Sequence, residues 1–258
     1  MNFDQLYHRA LLHEKSQKYK TVGKSIGIFP GAFKPPHKGH YMTAEKAMSD
    51  NDIVVVFVSG QDRGDSGEKI SADQSMAIWK LYKDYMLSTT PYKSDMVLAK
   101  VDNWRSPDTN RVKTVLGATY DILSILNDMY SGSNFNEVHP QARRVAERIL
   151  SDSNPDLGFD VSLYCGDDDM CRYGSINQPA YVGHRVKRVA PAPVVRAASA
   201  SNIRPHVRTF RKHRTDSNHD VVQDILSQAH LSKDYETIMD NLPGDEELKN
   251  NVLRILVK

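Results

Sequence analysis

Two histidines three residues apart stand in Gly31-Ala-Phe-Lys-Pro-Pro-His-Lys-Gly-His40, where His37 and His40 flank Lys38 and Gly39. An imidazole can donate hydrogen bonds to phosphate oxygens. Gly31 lets the backbone turn tightly beneath a ligand, and Pro35 and Pro36 stiffen the loop. Gly39 has no side chain to block close approach to the point where a helix begins. A helix N-terminus offers unpaired N–H groups and the positive end of a dipole, a natural seat for phosphate. The chemistry suggested is therefore the binding of phosphate and the steadying of charge on it. The alternative is two incidental histidines on a surface turn. The Gly-Phe-Pro-His-Gly-His combination, directly after an apolar strand, argues against that.

The elements that must position this loop read as follows. Ser25–Pro30 is a buried strand, Lys38–Ser49 a helix and Asp52–Ser59 a strand apolar on both faces, as in a covered parallel sheet. Ser71 caps a helix to about Leu87. A third strand runs from Met96 to Val101, and Val112–Tyr130 follows the 3/4 rhythm of an amphipathic helix. Gln141–Leu150 is a further helix, Phe159–Cys165 a fourth strand and His184–Ala190 a fifth. Alternating strands and helices predict an α/β fold, a Rossmann-like doubly wound parallel five-stranded sheet with a C-terminal helical extension. Ligands in such sheets sit beyond the carboxyl ends of strands, at the switch point of strand order. The segments to search are thus 30–40, 59–70, 102–110, 166–170 and 190–204.

The loop resembles the HxGH signature of the nucleotidylyltransferase superfamily. That group includes nicotinamide-mononucleotide, pantetheine-phosphate and FMN adenylyltransferases and the glycerol-3-phosphate and phosphocholine cytidylyltransferases. Gly31, Phe33, Pro35, His37, Gly39 and His40 match its pattern. Class I aminoacyl-tRNA synthetases carry a related HIGH motif, but no KMSKS-type loop is found here. A second segment, Ala198-Ser-Ala-Ser-Asn-Ile-Arg204, is similar to the superfamily's ISSTxIR-like stretch. Ser199 and Ser201 take its hydroxyl positions, Ile203 the apolar one and Arg204 the arginine. Ser201 stands where many members have Thr, Ala200 where many have Ser, and Ser201 also suits the N-cap of a following helix.

The resemblance implies transfer of an NMP by in-line attack of an acceptor oxygen on the α-phosphorus of an NTP, with pyrophosphate leaving. Its site roles follow. His37 and His40 would act at the α- and β-phosphates, and Arg204 with Ser201 would hold the leaving pyrophosphate. Gly31, Phe33, Gly39, Ser199 and Ile203 would shape the nucleotide site. Lys34, where many members have Asp, Asn or Gln, would reach a phosphate of donor or acceptor. Mg²⁺ would ride on the triphosphate, with no protein metal site. Lipid-precursor cytidylyltransferases usually carry Asp after the Phe. Lys34-Pro35-Pro36 lies closer to the adenylyltransferase form, so ATP and an acceptor like nicotinamide mononucleotide are expected, with CTP and a small phosphorylated alcohol as the alternative. Trp104 could stack on an acceptor or serve the core. Asp167, after the fourth strand, could meet the ligand or start a helix. The Gly60–Lys69 loop, with Asp62, Arg63 and Lys69, could be an acceptor lid or simply a mobile loop.

Composition bounds these readings. The 258 residues carry a net charge of +2, with 40% hydrophobic and 26% charged residues and a mean hydropathy of −0.54. The near-neutral sum divides unevenly. Met170–Thr215 has ten Lys/Arg and no acid, residues 216–258 are net −5, and residues 1–169 are net −3. A basic block favours an anionic partner. Cys165 and Cys171 exclude a disulfide framework and space poorly for zinc. The first 24 residues lack the apolar core of a signal peptide, and no run approaches a membrane span. A cytoplasmic protein with no membrane partner is expected, and a homo-oligomer is allowed. The expected division is 1–24 as an N-terminal helical segment, 25–204 as the nucleotidylyltransferase domain and 205–258 as a C-terminal helical tail. The competing class is a binding module with a retired site. There, Arg204–Arg214 around Phe210 would contact nucleic acid, or a partner would dock on the tail, which reads as helices at Asp220–His230, Ser232–Asn241 and Asp245–Val257.

Overall fold

The computed structural model describes residues 24–65, 67–130, 132–166, 181–194, 199–213 and 231–258. The expected N-terminal helix, Asp167, Cys171 and the expected helix at Asp220–His230 lie outside them. Five parallel strands form one sheet: β1 (Lys24–Gly31), β2 (Ile53–Ser59), β3 (Asp95–Val101), β6 (Phe159–Gly166) and β7 (Val186–Val194). Two short strands, β4 (Trp104–Arg105) and β5 (Val112–Lys113), pair antiparallel apart from it. Seven α-helices are seen among the described residues: α1 (Lys38–Asp50), α2 (Ala72–Thr89), α3 (Val115–Leu126), α4 (Pro140–Ser151), α5 (Arg204–His213), α6 (Ser232–Asp240) and α7 (Glu246–Leu256). None is long and apolar enough to cross a membrane.

The strand order is β3-β2-β1-β6-β7. The chain moves outward from β1 through β2 to β3, then returns to the other side of β1. The switch point therefore lies between β1 and β6, paired from Lys24 opposite Phe159 to Ile28 opposite Leu163. Strand β2 shows why the sheet is covered twice. Val54, Val56 and Val58 join a core with Tyr41 of α1 and Trp79 and Tyr82 of α2. Ile53, Val55 and Phe57 join a second core with Ile122 of α3 and Val145 and Ile149 of α4. A fully apolar strand is the sequence signature of that arrangement.

Two expected elements differ in their bounds by more than two residues. The helix expected over Val112–Tyr130 spans only Val115–Leu126. At its start, Val112 and Lys113 are drawn into the pair with Trp104–Arg105. At its end, Asp128 adopts φ 59°, a left-handed turn that stops a helix, and Met129 is left 49% exposed. The apolar rhythm continues past both points, but the backbone does not. Strand β7 instead runs beyond its expected end at Ala190 to Val194, through Pro191 and Pro193. It pairs only with β6, and an edge strand tolerates proline because its outward N–H has no ladder partner to lose.

Candidate active site

The Gly31–His40 loop leaves the carboxyl end of β1, beside the switch point, and ends as α1 begins with His37 at its N-cap. Its shape rests on Phe33, a non-glycine residue at φ 51°. The Phe33 ring is 97% buried, edge-on to Phe29 at 4.9 Å, Trp79 at 5.0 Å and His40 at 4.9 Å. Gly31 is required for this packing, since a Cβ there would sit 2.6 Å from the Phe33 ring. The two imidazoles stack, with centroids 3.6 Å apart and planes 24° from parallel. The His37 backbone N–H donates to His40 Nδ1 at 3.3 Å. In the neutral ring that leaves the proton on Nε2, as a donor.

A cavity of about 330 Å³ opens over this loop. Gly31, Phe33, Lys34, His37, Gly39, His40 and Arg204 all line it. Arg204, at the first turn of α5, donates from Nη1 to the Lys34 carbonyl at 3.0 Å, across 170 residues of sequence. The two segments singled out in the sequence are thus one site. Lys34 is buried, and its ammonium donates to the carbonyls of Ala32 at 2.7 Å and Ser59 at 2.9 Å. Burial lowers its pKa to about 8, outweighing the attraction of Asp62; Arg63 and Lys100 push the same way as burial. Asp62 pairs with Lys69 at 2.8 Å and accepts the Ala72 N–H. The Lys69 hydrogen bond, then the Ala72 one, hold its carboxyl below the usual range.

Other expected residues lie at or beyond the rim. Ser199 and Ser201 pair hydroxyl to hydroxyl at 2.7 Å, and Ala200 between them forms the wall. Ser201 lies inside a 3-10 turn, Ala200–Asn202, and so does not occupy the N-cap expected for it. Ile203 is fully buried in the core beneath. Trp104 is outside the lining, with its ring 6.2 Å from that of His139. From the Gly60–Lys69 loop, Gln61, Asp62 and Arg63 reach the cavity, and the loop is closed at its base by an Arg63–Ile70 bridge. Thr114, Val115 and Leu116 line the far wall. They escaped sequence reasoning because they fell inside the long helix expected there. Thr114 before an apolar pair was the available signal for a helix start. Asn103, Cys165 and Gly166 complete that side, beside strand ends already marked for search.

Among the described residues no group of three His, Cys, Asp or Glu could hold a metal ion. Three cations, Lys34, Arg63 and Arg204, face a single carboxylate, Asp62, in the described lining. Such a cavity suits an anionic ligand.

Fold and site together define a Rossmann-like α/β protein with a cationic cleft at its switch point. The cytidylyltransferase-like family model matches residues 28–204, so the chain belongs to that family and is a nucleotidyltransferase. No curated protein matches it. Solved structures similar to it include NadR in complex with NR, at 20% identity and TM-score 0.41, covering 74% of this chain and 46% of NadR. A second is the bifunctional NMN adenylyltransferase/ADP ribose pyrophosphatase of Francisella tularensis complexed with AMP and Mn ion, at 11% identity and TM-score 0.40, covering 83% of this chain and 55% of that one. A third is Plasmodium falciparum nicotinic acid mononucleotide adenylyltransferase complexed with APC, at 10% identity and TM-score 0.35, covering 81% and 98%. The chain spans about half the length of the first two.

Proposed function

We propose that this chain moves AMP from ATP onto a phosphate-bearing acceptor such as nicotinamide mononucleotide, releasing pyrophosphate. The observation that carries the reading is the hydrogen bond from Arg204 to the Lys34 carbonyl, which brings both phosphate-suited segments to one cavity. An acceptor phosphate oxygen attacks the α-phosphorus in line, and the bond to the β-phosphate bridging oxygen breaks. No proton need move at the attacking group. The work is positioning and neutralisation of charge, not strong base catalysis. His40 donates from Nε2 to oxygens of the transferred phosphate, with His37 stacked on it. Arg204 takes the leaving pyrophosphate. The NTP enters as its magnesium complex, so the metal belongs to the substrate. The Lys34-Pro35-Pro36 form of the loop supports ATP over CTP.

The test is pyrophosphate release with each NTP across a panel of phosphorylated acceptors. Release is expected with ATP and a mononucleotide acceptor. His40→Ala is expected to lose about 10²–10³-fold in turnover, the usual cost of removing one donor from a developing charge. Wild-type turnover in that variant, or no release with any pair, would overturn the reading.

A further inference from the structure

Three buried residues on one face of α2 hold the histidine loop from behind. Ser75, Trp79 and Tyr82 stand at i, i+4 and i+7, and each is fully buried. The Ser75 hydroxyl donates to the Phe33 carbonyl at 2.6 Å. The Trp79 ring lies 5.0 Å from the Phe33 ring. The Tyr82 hydroxyl donates to the Pro36 carbonyl at 3.3 Å. These contacts bracket the segment that turns from β1 into α1.

Phe33 is the residue that needs holding. Its left-handed backbone, at φ 51°, is unfavourable for a side chain with a Cβ and persists only where surroundings over-determine it. The ring is gripped by Phe29, Trp79 and His40. The aromatic grip fixes the ring but leaves the peptide plane after it free to rotate. The bond from Ser75 fixes that plane, because a carbonyl held at 2.6 Å by a buried donor cannot swing without leaving both groups unsatisfied. That plane sets the direction in which the chain leaves Phe33 for Lys34, His37 and His40, and the His40 ring packs back on the Phe33 ring.

We infer that Ser75 is a positioning residue for the transfer reaction: its hydroxyl locks the left-handed turn at Phe33 and thereby sets the His40 ring in the cavity. The inference rests on the proposed transfer activity for its kinetic readout, but its structural readout is independent of it. Ser75 is fully buried and does not line the cavity. It acts through the Phe33 carbonyl, so its loss should disturb turnover more than nucleotide binding. The bond crosses 42 residues of sequence and joins two elements on one side of the sheet.

The experiment compares wild type with Ser75→Ala. Histidine ring resonances are followed by NMR, together with NTP affinity by calorimetry and kcat from pyrophosphate release. In Ser75→Ala the His37 and His40 ring signals are expected to move. The signals of His139, buried in the core on the other face, should stay in place. Turnover is expected to fall about tenfold, because small misplacements of reacting groups have costs of this order, while NTP affinity stays within about twofold. Unmoved His37 and His40 signals, or wild-type kcat, would overturn the inference. So would a loss in which His139 moves too and affinity falls in step with kcat, since that marks a general loosening. If the wild type releases no pyrophosphate with any NTP, the proposed function falls, and the histidine signals alone decide the role of Ser75.

Discussion

Lys34 gathers the electrostatics of the site into one side chain. Its ammonium is buried, anchored by the carbonyls of Ala32 and Ser59, and titrates near 8 because burial disfavours its charge. The groups around it are Asp62, Arg63 and Lys100, with Lys69 on Asp62 and Arg204 on the Lys34 carbonyl. Affinity for an anionic substrate should therefore fall as pH rises through about 8, and Lys34→Met should flatten that fall. Isothermal titration between pH 7 and 9 would measure it. The stability effect has the opposite sign. The unfolded chain keeps the lysine proton to about 10.5, so between about 8 and 10.5 it binds more protons than the folded chain, and this group adds stability as pH rises. At this scale the sequence was informative where residue type carried the meaning. His37, His40, Gly31 and Arg204 all line the cavity. It was less so where the partner decided the role. That Lys34 would give a donor to the Ser59 carbonyl depends on where β2 ends, which the loop's own residues do not specify.

At the scale of elements, α3 shows what holds the cavity's far wall. Asp121 is 99% buried and receives Lys113 at 3.0 Å, the Tyr130 hydroxyl at 3.2 Å and the His139 backbone N–H at 2.8 Å. His139 in turn bonds the Asp102 carbonyl through Nε2 at 2.7 Å, beside the cavity residue Asn103. One carboxylate thus ties the start of α3, the start of α4 and the segment after β3. Removing one partner of a buried ion pair strands the other charge. Asp121→Ala is expected to cost about 3–5 kcal/mol of stability, read as a lower midpoint in urea. The network also accounts for the misread helix start. Periodicity reports which residues face the core, and Val112 kept the rhythm. Lys113 left the helix because its ammonium turns back to Asp121. A pairing between a strand end and a buried acid has no period. The other strands and α1 were legible because apolar continuity and turn residues mark them locally. Strand β7 ran past its expected end because only its place at the sheet's edge makes Pro191 and Pro193 tolerable.

For the whole molecule, the C-terminal helices are built into the transferase core. Leu248, Val252, Leu253 and Leu256 of α7 share one apolar cluster with Trp79, Tyr82 and Phe33. Gln74 of α2 donates to the Ile255 carbonyl at 2.8 Å, and Arg211 of α5 bridges the carbonyls of Leu256 and Lys69, each at 2.7 Å. Sequence patterning supplied the helices α6 and α7 closely but not their address, since an amphipathic face shows that a helix packs and not against what. Leu253→Ala should therefore destabilise the entire fold by about 2–5 kcal/mol, as a buried leucine does. Calorimetry should show a single transition moved down, where an independent tail would give a separate one. One contact gives this architecture a consequence in time. The backbone N–H of Lys38, in the first turn of the histidine helix, donates to the Asn241 carbonyl at 2.8 Å. A ribosome delivers Lys38 early and Asn241 late. Throughout most of synthesis the nascent chain carries both histidines without the group that finishes their helix. A polypeptide that stops short of Asn241 therefore displays the signature but lacks this support for it.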